Sequence, residues 1–286
     1  AKYILYKIGL FLLRHLPPKL SYKLATFVSD LQYFFSFRDR RAVSNNLRNI
    51  LPASDKISFL TKDVFRNFGR YLCEFFQMRE MVDGKFIKNN VRIEGIDRLD
   101  RILKEGKGGI IVTGHIGNWE LGGVLLSVLG YPLMAIALPH KERPVNDLFN
   151  SQRESKGVTV VPPTGALRRC IEQLRANKLV ALVADRDFSH AGVAVDFLGK
   201  KMIVPKGPAM FSLKTGAPIV PMFLIRNTDK TFTMFCCEPI YPPQENKDQD
   251  EPGVILGLMR RYLSVMEEKI RQYPSQWLLF REFSLQ

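Results

Sequence analysis

The feature that most constrains the fold is a set of short apolar runs that fail to alternate, among them Gly109-Ile-Ile-Val-Thr113, Leu179-Val-Ala-Leu-Val-Ala184 and Ile219-Val-Pro-Met-Phe-Leu-Ile225. A strand with one wet face alternates polar and apolar residues, whereas a strand apolar on both sides lies in a sheet covered on both faces. Shorter β-rich runs recur at 132–137, 158–161 and 231–236, and helix-like segments lie near 119–129, 145–156, 165–177 and 206–215. This alternation predicts an α/β fold, a three-layer αβα sandwich around a mostly parallel or mixed central sheet. A last amphipathic helix is predicted over about 252–272, ending before Pro274. The Pro- and charge-rich residues 242–252 read as an exposed loop.

Ahead of the sheet pattern stands a helical front. Helices are predicted over 2–16, 19–36 and 55–80, punctuated by Pro17-Pro18 and Leu51-Pro52, with Ser54 or Asp55 as a cap. The chain therefore divides into an N-terminal helical, membrane-associating region, 1–80, and an αβα domain, 81–286. Residues 1–50 hold nine Lys/Arg against Asp30 and Asp39, a surplus of +7, which is half the formal net charge of +14. The same segment carries Ile8-Gly-Leu-Phe-Leu-Leu13 and Tyr33-Phe-Phe-Ser-Phe37, so basic and greasy surface occur together, as an anionic membrane interface requires. The run from Tyr3 to Leu13 falls short of the roughly 20 residues a spanning helix needs. The expectation is peripheral or shallow anchoring, and no cleavage site for a signal peptide follows. An amphipathic helix packed on the domain's own core fits the same pattern.

Cysteine and histidine usage limits the chemistry further. Cys73, Cys170, Cys236 and Cys237 show no CxxC spacing and read as buried free thiols, and the four histidines are scattered. No metal and no cofactor are expected. Nucleic acid is not an expected partner either, because the basic segment is interleaved with aliphatic runs and lacks a recognition motif. No Gly-x-Ser-x-Gly elbow is present, which removes the usual serine route to a thioesterase or lipase.

The chemistry concentrates where Gly109-Ile-Ile-Val-Thr-Gly114 passes into Asn118-Trp-Glu-Leu. His115 falls in the turn between a strand and the following helix, where ligands gather in open α/β sheets. On one continuous helix His115 and Glu120 would stand about 140° apart. They can cooperate only if His115 lies outside the helix and folds back, a turn that Gly114 and Gly117 permit. With Glu120 holding one ring nitrogen, the imidazole becomes a base for a substrate hydroxyl. By spacing alone the pair fits equally a structural histidine satisfied by a carboxylate.

The stretch Gly114-His-Ile-Gly-Asn-Trp-Glu120 resembles the His-x4-Asp/Glu motif of glycerolipid acyltransferases. In its form His-x-x-Asn-Trp-Glu it is similar to the lipid A biosynthesis lauroyl and myristoyl transferases and their relatives that acylate phosphatidylinositol mannosides. The resemblance continues in order through Asn46-Leu-Arg-Asn-Ile-Leu-Pro52, Arg143-Pro-Val-Asn-Asp-Leu-Phe-Asn-Ser-Gln-Arg153, Ala184-Asp-Arg-Asp187, Phe197-Leu-Gly199, Gly207-Pro-Ala209, Thr215-Gly-Ala-Pro-Ile-Val-Pro221 and Tyr273-Pro-Ser-Gln-Trp277. Arg186 stands where many relatives have glutamine, and Leu278-Leu-Phe-Arg281 replaces a tail that usually carries another tryptophan.

The resemblance implies transfer of a fatty acyl group from a thioester, acyl carrier protein ahead of acyl-CoA, to a hydroxyl of a lipid A precursor or similar glycolipid, at the cytoplasmic face of the bacterial inner membrane. It implies His115 as general base with Glu120. Backbone N–H groups around Ile116, Gly117 and Asn118, together with Arg153, would stabilise the oxyanion or grip a phosphate. Asp185 and Asp187 would position Arg186 or Arg153; Trp119 would pack; His140 and His190 would lie in polar loops outside catalysis. A phosphatidylinositol mannoside or a lysophospholipid is the alternative acceptor. A non-catalytic basic membrane-binding protein is the alternative of another class.

Overall fold

The computed structural model describes residues 2–187, 192–243 and 251–282, except for the side chains of residues 2, 5, 14 and 18. His190, expected in a polar loop, and residues 244–250 of the expected loop lie outside the described residues. Four helices form the front: α1 (Lys2–His15), α2 (Pro18–Phe35), α3 (Phe37–Ile50) and α4 (Ile57–Met81). A short α5 (Gly84–Asn90) leads into β1 (Val91–Glu94) and α6 (Asp97–Lys104). Then follow β2 (Gly109–Thr113), α7 (Trp119–Val128), β3 (Leu133–Ile136), α8 (Arg143–Glu154), β4 (Thr159–Val161), α9 (Ala166–Arg175) and β5 (Leu179–Val183). A hairpin of β6 (Val193–Phe197) and β7 (Lys200–Val204) precedes α10 (Gly207–Thr215), β8 (Ile219–Arg226), β9 (Phe232–Cys236) and α11 (Glu251–Gln272).

The seven-stranded sheet runs β1-β9-β8-β2-β5-β3-β4, and every adjacent pair is parallel except β8 with β9. Its central strands are apolar throughout because they serve two cores. Ile110, Val112, Val180, Leu182, Ile219 and Phe223 face one core with α9, α10 and α11. Ile111, Leu179, Val220, Met222 and Leu224 face the other with α7, α8 and α4. Period-two geometry sends neighbouring residues of one strand to opposite faces, so both sets must be apolar. The helical front shares this second core: Leu10, Phe75, Phe76 and Met78 pack with Leu121, Val124 and Phe149.

Several elements went unread in the sequence. Residues 37–50 form α3, whose buried Ala42, Val43, Asn46, Leu47 and Ile50 make a narrow stripe on an otherwise charged helix. The β6–β7 hairpin closes through Leu198 and Gly199, both at positive φ, as a tight hairpin turn demands. Neither Ser54 nor Asp55 caps α4. Its N-cap is Lys56, and the Ser54 hydroxyl accepts from the Lys56 N–H one step earlier.

Candidate active site

Parallel register assembles the site. Thr113 at the end of β2 pairs with Val183 at the end of β5, and the Ala184 N–H donates to the Thr113 carbonyl at 2.8 Å. His115 and Asp185 each lie two residues beyond those paired ends, so they emerge side by side at the carboxyl edge of the sheet, although 70 residues separate them in sequence. Ligands bind at this edge in open α/β sheets.

Asp185 grips His115 twice. One carboxylate oxygen accepts from the His115 backbone N–H at 2.8 Å, and the other lies 2.7 Å from the ring Nδ1. The Trp277 indole N–H donates to the same carboxylate at 3.0 Å. Burial alone would raise the Asp185 carboxyl, but the His115 ring, these two N–H groups and the ring hydrogen bond together hold it below the usual carboxylate range. An ionised acceptor on Nδ1 selects the tautomer with the proton there and leaves Nε2 as the basic nitrogen. The His115 side chain is 23% exposed while Asp185 is fully buried. Trp119 meets the imidazole edge-on, with centroids 4.9 Å apart, and stacks on Tyr71 at 4.5 Å.

The carboxylate expected to hold the imidazole is engaged elsewhere. Glu120 receives Nε and Nη2 of Arg153 at 2.7 and 2.6 Å in a bidentate pair, and Arg153 Nη1 donates to Asn150. Helix geometry explains this: Glu120 occupies the first turn of α7 and points at α8, while β5 brings Asp185 to the ring. Arg153 is nearly buried, and the Glu120 carboxylate holds it protonated against the cost of its burial.

The turn itself is held by backbone bonds that occupy two of the expected oxyanion donors. The Gly117 N–H donates to the Gln276 carbonyl and the Asn118 N–H to the Leu224 carbonyl, each at 2.9 Å. Gly117 has φ +64°, and a Cβ there would collide with the Leu224 carbonyl oxygen. Asn118 is fully buried. Its side-chain oxygen caps α7 through the Leu121 N–H at 3.0 Å, and its amide donates to Glu74 at 2.7 Å. Gly117 and Asn118 are thus parts of the scaffold and do not offer their N–H groups to a substrate.

Asp185, expected to position Arg186 or Arg153, bonds His115 and Trp277, and Arg153 is held by Glu120. Asp187 accepts from the Gly192 N–H at 3.1 Å. Arg186 is partly buried, and burial together with the nearby Arg281 guanidinium lowers its pKa, opposed by Asp185. His140 packs against Phe149 with centroids 4.3 Å apart, outside the His115 site; burial and then Arg153 lower its pKa.

Sequence reasoning missed the buried cluster under the turn. Glu74 on α4 takes a bidentate pair from Arg226 at the end of β8 and accepts from the Tyr22 hydroxyl at 2.7 Å and from Asn118. A signal existed: Glu74 stands inside Cys73-Glu-Phe-Phe76 and Arg226 closes an eight-residue apolar strand, and a charge in such a run requires a buried partner.

Against this geometry stand the comparisons with known proteins. Residues 1–283 match the family described as bacterial lipid A biosynthesis acyltransferase. The phosphatidylinositol mannoside acyltransferase of Mycolicibacterium smegmatis is 29% identical over 79% of this chain and 72% of its own length. That of Mycobacterium tuberculosis strain CDC 1551 is 32% identical over 68% of this chain and 64% of its own. The lipid A biosynthesis palmitoleoyltransferase of Escherichia coli K12 is 23% identical over 89% of this chain and 81% of its own. The chain belongs to the bacterial lipid A biosynthesis acyltransferase family. It is an enzyme transferring acyl groups other than aminoacyl groups, which sets aside the reading as a non-catalytic membrane binder.

Proposed function

We propose that this chain transfers a fatty acyl group from an acyl thioester, acyl carrier protein ahead of CoA, to a hydroxyl of a lipid A precursor or similar glycolipid. The observation that carries the proposal is the double grip of Asp185 on His115. His115 Nε2 takes the acceptor hydroxyl proton as the oxygen attacks the thioester carbon. Asp185 stabilises the imidazolium so formed, and collapse of the tetrahedral intermediate expels the thiolate, which recovers the proton from Nε2. Glu120 and Arg153 form the wall beside this centre, with Glu120 holding the guanidinium in place. No serine nucleophile is required, because the substrate brings the hydroxyl.

The 29% and 32% identities to mannoside acyltransferases, against 23% to the Escherichia coli enzyme, favour a second acceptor, a mannosylated phosphatidylinositol.

The N-terminal helices supply the membrane contact in this reading. Ile4, Ile8 and Phe11 of α1 and Phe27, Phe34 and Phe35 of α2 are each more than half exposed, a set of open apolar side chains of the kind that marks a membrane or protein contact. Among the described residues no helix is long and apolar enough to cross a membrane. In this reading the surface rests on the cytoplasmic leaflet of the inner membrane, to whose anionic headgroups the +14 charge is complementary.

Labelled acyl thioester offered with a panel of lipid A precursors, mannosylated phosphatidylinositols and lysophospholipids tests the proposal. His115→Ala is expected to abolish transfer while keeping the fold. Unchanged transfer in that variant would sink the mechanism.

A further inference from the structure

A groove of about 570 Å3 opens between α1, α4 and α8, on the outer side of α8. Three cations from three elements line it: Lys7 of α1, Arg79 in the last turn of α4 and Arg143 at the start of α8. Asp147 also lines it, and its only bond among these cations is a 3.9 Å contact to Arg143, with both side chains mostly exposed. The charges thus stand at three to one. Gln152 reaches the groove from below with only 1% of its surface exposed, and its side-chain oxygen has no hydrogen-bond partner among the described residues. An unsatisfied buried amide costs about 1–3 kcal/mol, and a bound group bearing a hydroxyl or N–H would remove that cost.

We propose that this groove binds a phosphate group carrying a neighbouring hydroxyl, with Lys7, Arg79 and Arg143 on the phosphate and Gln152 on the hydroxyl. Arginine forks match phosphate oxygens, and three cations against one carboxylate favour an anion. Ile4 and Ile8 of the same α1 are exposed beside the groove, which places it at the rim of the apolar surface and favours a lipid headgroup as the source. That part rests on the membrane reading above. Gln152 is also the neighbour in sequence of Arg153, so the occupied groove lies against the helix that carries the Glu120 pair.

The full-length chain, without acyl donor, is titrated calorimetrically with inorganic phosphate and with glycerol 3-phosphate, and its binding to phosphatidylcholine vesicles with and without phosphatidylglycerol is measured by sedimentation. Arg79→Ala with Arg143→Ala is expected to weaken glycerol 3-phosphate by about tenfold or more, while the charge-matched pair Arg168→Ala with Arg169→Ala leaves it unchanged. Gln152→Leu should weaken glycerol 3-phosphate and spare inorganic phosphate. Tighter binding of glycerol 3-phosphate, with vesicle binding reduced in the Arg79/Arg143 variant beyond the control, assigns the site to a lipid headgroup. Equal affinity for the two anions, lost with the same two arginines, assigns it to free phosphate. Absence of saturable binding, or binding indifferent to Arg79 and Arg143, overturns the proposal. Because no donor is present, that failure would leave acyl transfer intact, whereas failure of the His115 mechanism would leave this binding intact.

Discussion

In the proposed mechanism Asp185 is the residue on which the chemistry turns. Asp185→Asn keeps the shape and the bond to the His115 N–H, but it removes the charge that stabilises an imidazolium and can favour the wrong tautomer. Acyl transfer is expected to fall by roughly 10²–10⁴-fold with little change in KM, and a loss below about tenfold would show that Asp185 is only a turn residue. The same carboxylate carries a pH signature. Its pKa lies lower in the folded chain than in the unfolded one, so it adds stability above about pH 4, lost as pH falls through the folded value. Urea unfolding between pH 3 and 7 should show a shallower acid limb for Asp185→Asn. Gly117 answers to sterics alone. Gly117→Ala must hold φ +64° against the Leu224 carbonyl, costing at least about 1–2 kcal/mol and displacing the turn.

At the scale of elements, α4, β8 and α7 are tied by one buried charge pair. Glu74 and Arg226 are 0% and 7% exposed, so Glu74→Gln leaves a guanidinium buried without its counter-charge. Breaking such a pair costs about 3–5 kcal/mol, measurable by chemical denaturation, and a cost under about 1 kcal/mol would mean water reaches Arg226. Asn118 links this pair to the start of α7, so Asn118→Ala should lose about 1 kcal/mol of capping and also disturb Glu74. The β2–β5 pairing has a comparable role for the His115–Asp185 pair. A one-residue slip would turn Asp185 away from His115 and send Val180 and Leu182 to the wrong core.

Considered whole, the molecule presents an apolar and basic front to one side and a His–Asp pair at the sheet edge. Phe27, Phe34 and Phe35 are 61%, 63% and 69% exposed, surface that a soluble monomer rarely leaves open together. Replacing all three with serine should weaken vesicle binding by on the order of tenfold or more, since each buried aromatic contributes roughly 1.5–3 kcal/mol. Hydrolysis or transfer with a water-soluble thioester should persist. Unaltered vesicle binding would place the membrane contact elsewhere.

Much of this was legible along the chain. The non-alternating runs at 109–113, 179–184 and 219–225 read as strands of a sheet covered on both faces, because both sides of each are apolar, and strands stand there at 109–113, 179–183 and 219–226. His115 was legible too, since a strand, a glycine turn and a capped helix are contiguous features. Its partner was not. Glu120 lies five residues away and Asp185 seventy, and only the pairing of β2 with β5 brings the distant carboxylate nearer than the local one. The same holds for Glu74 with Arg226, 152 residues apart, and for Gln152 beneath its groove. Periodicity reports which face of an element is buried. Which buried charges meet depends on strand order and register, which no local window of sequence contains.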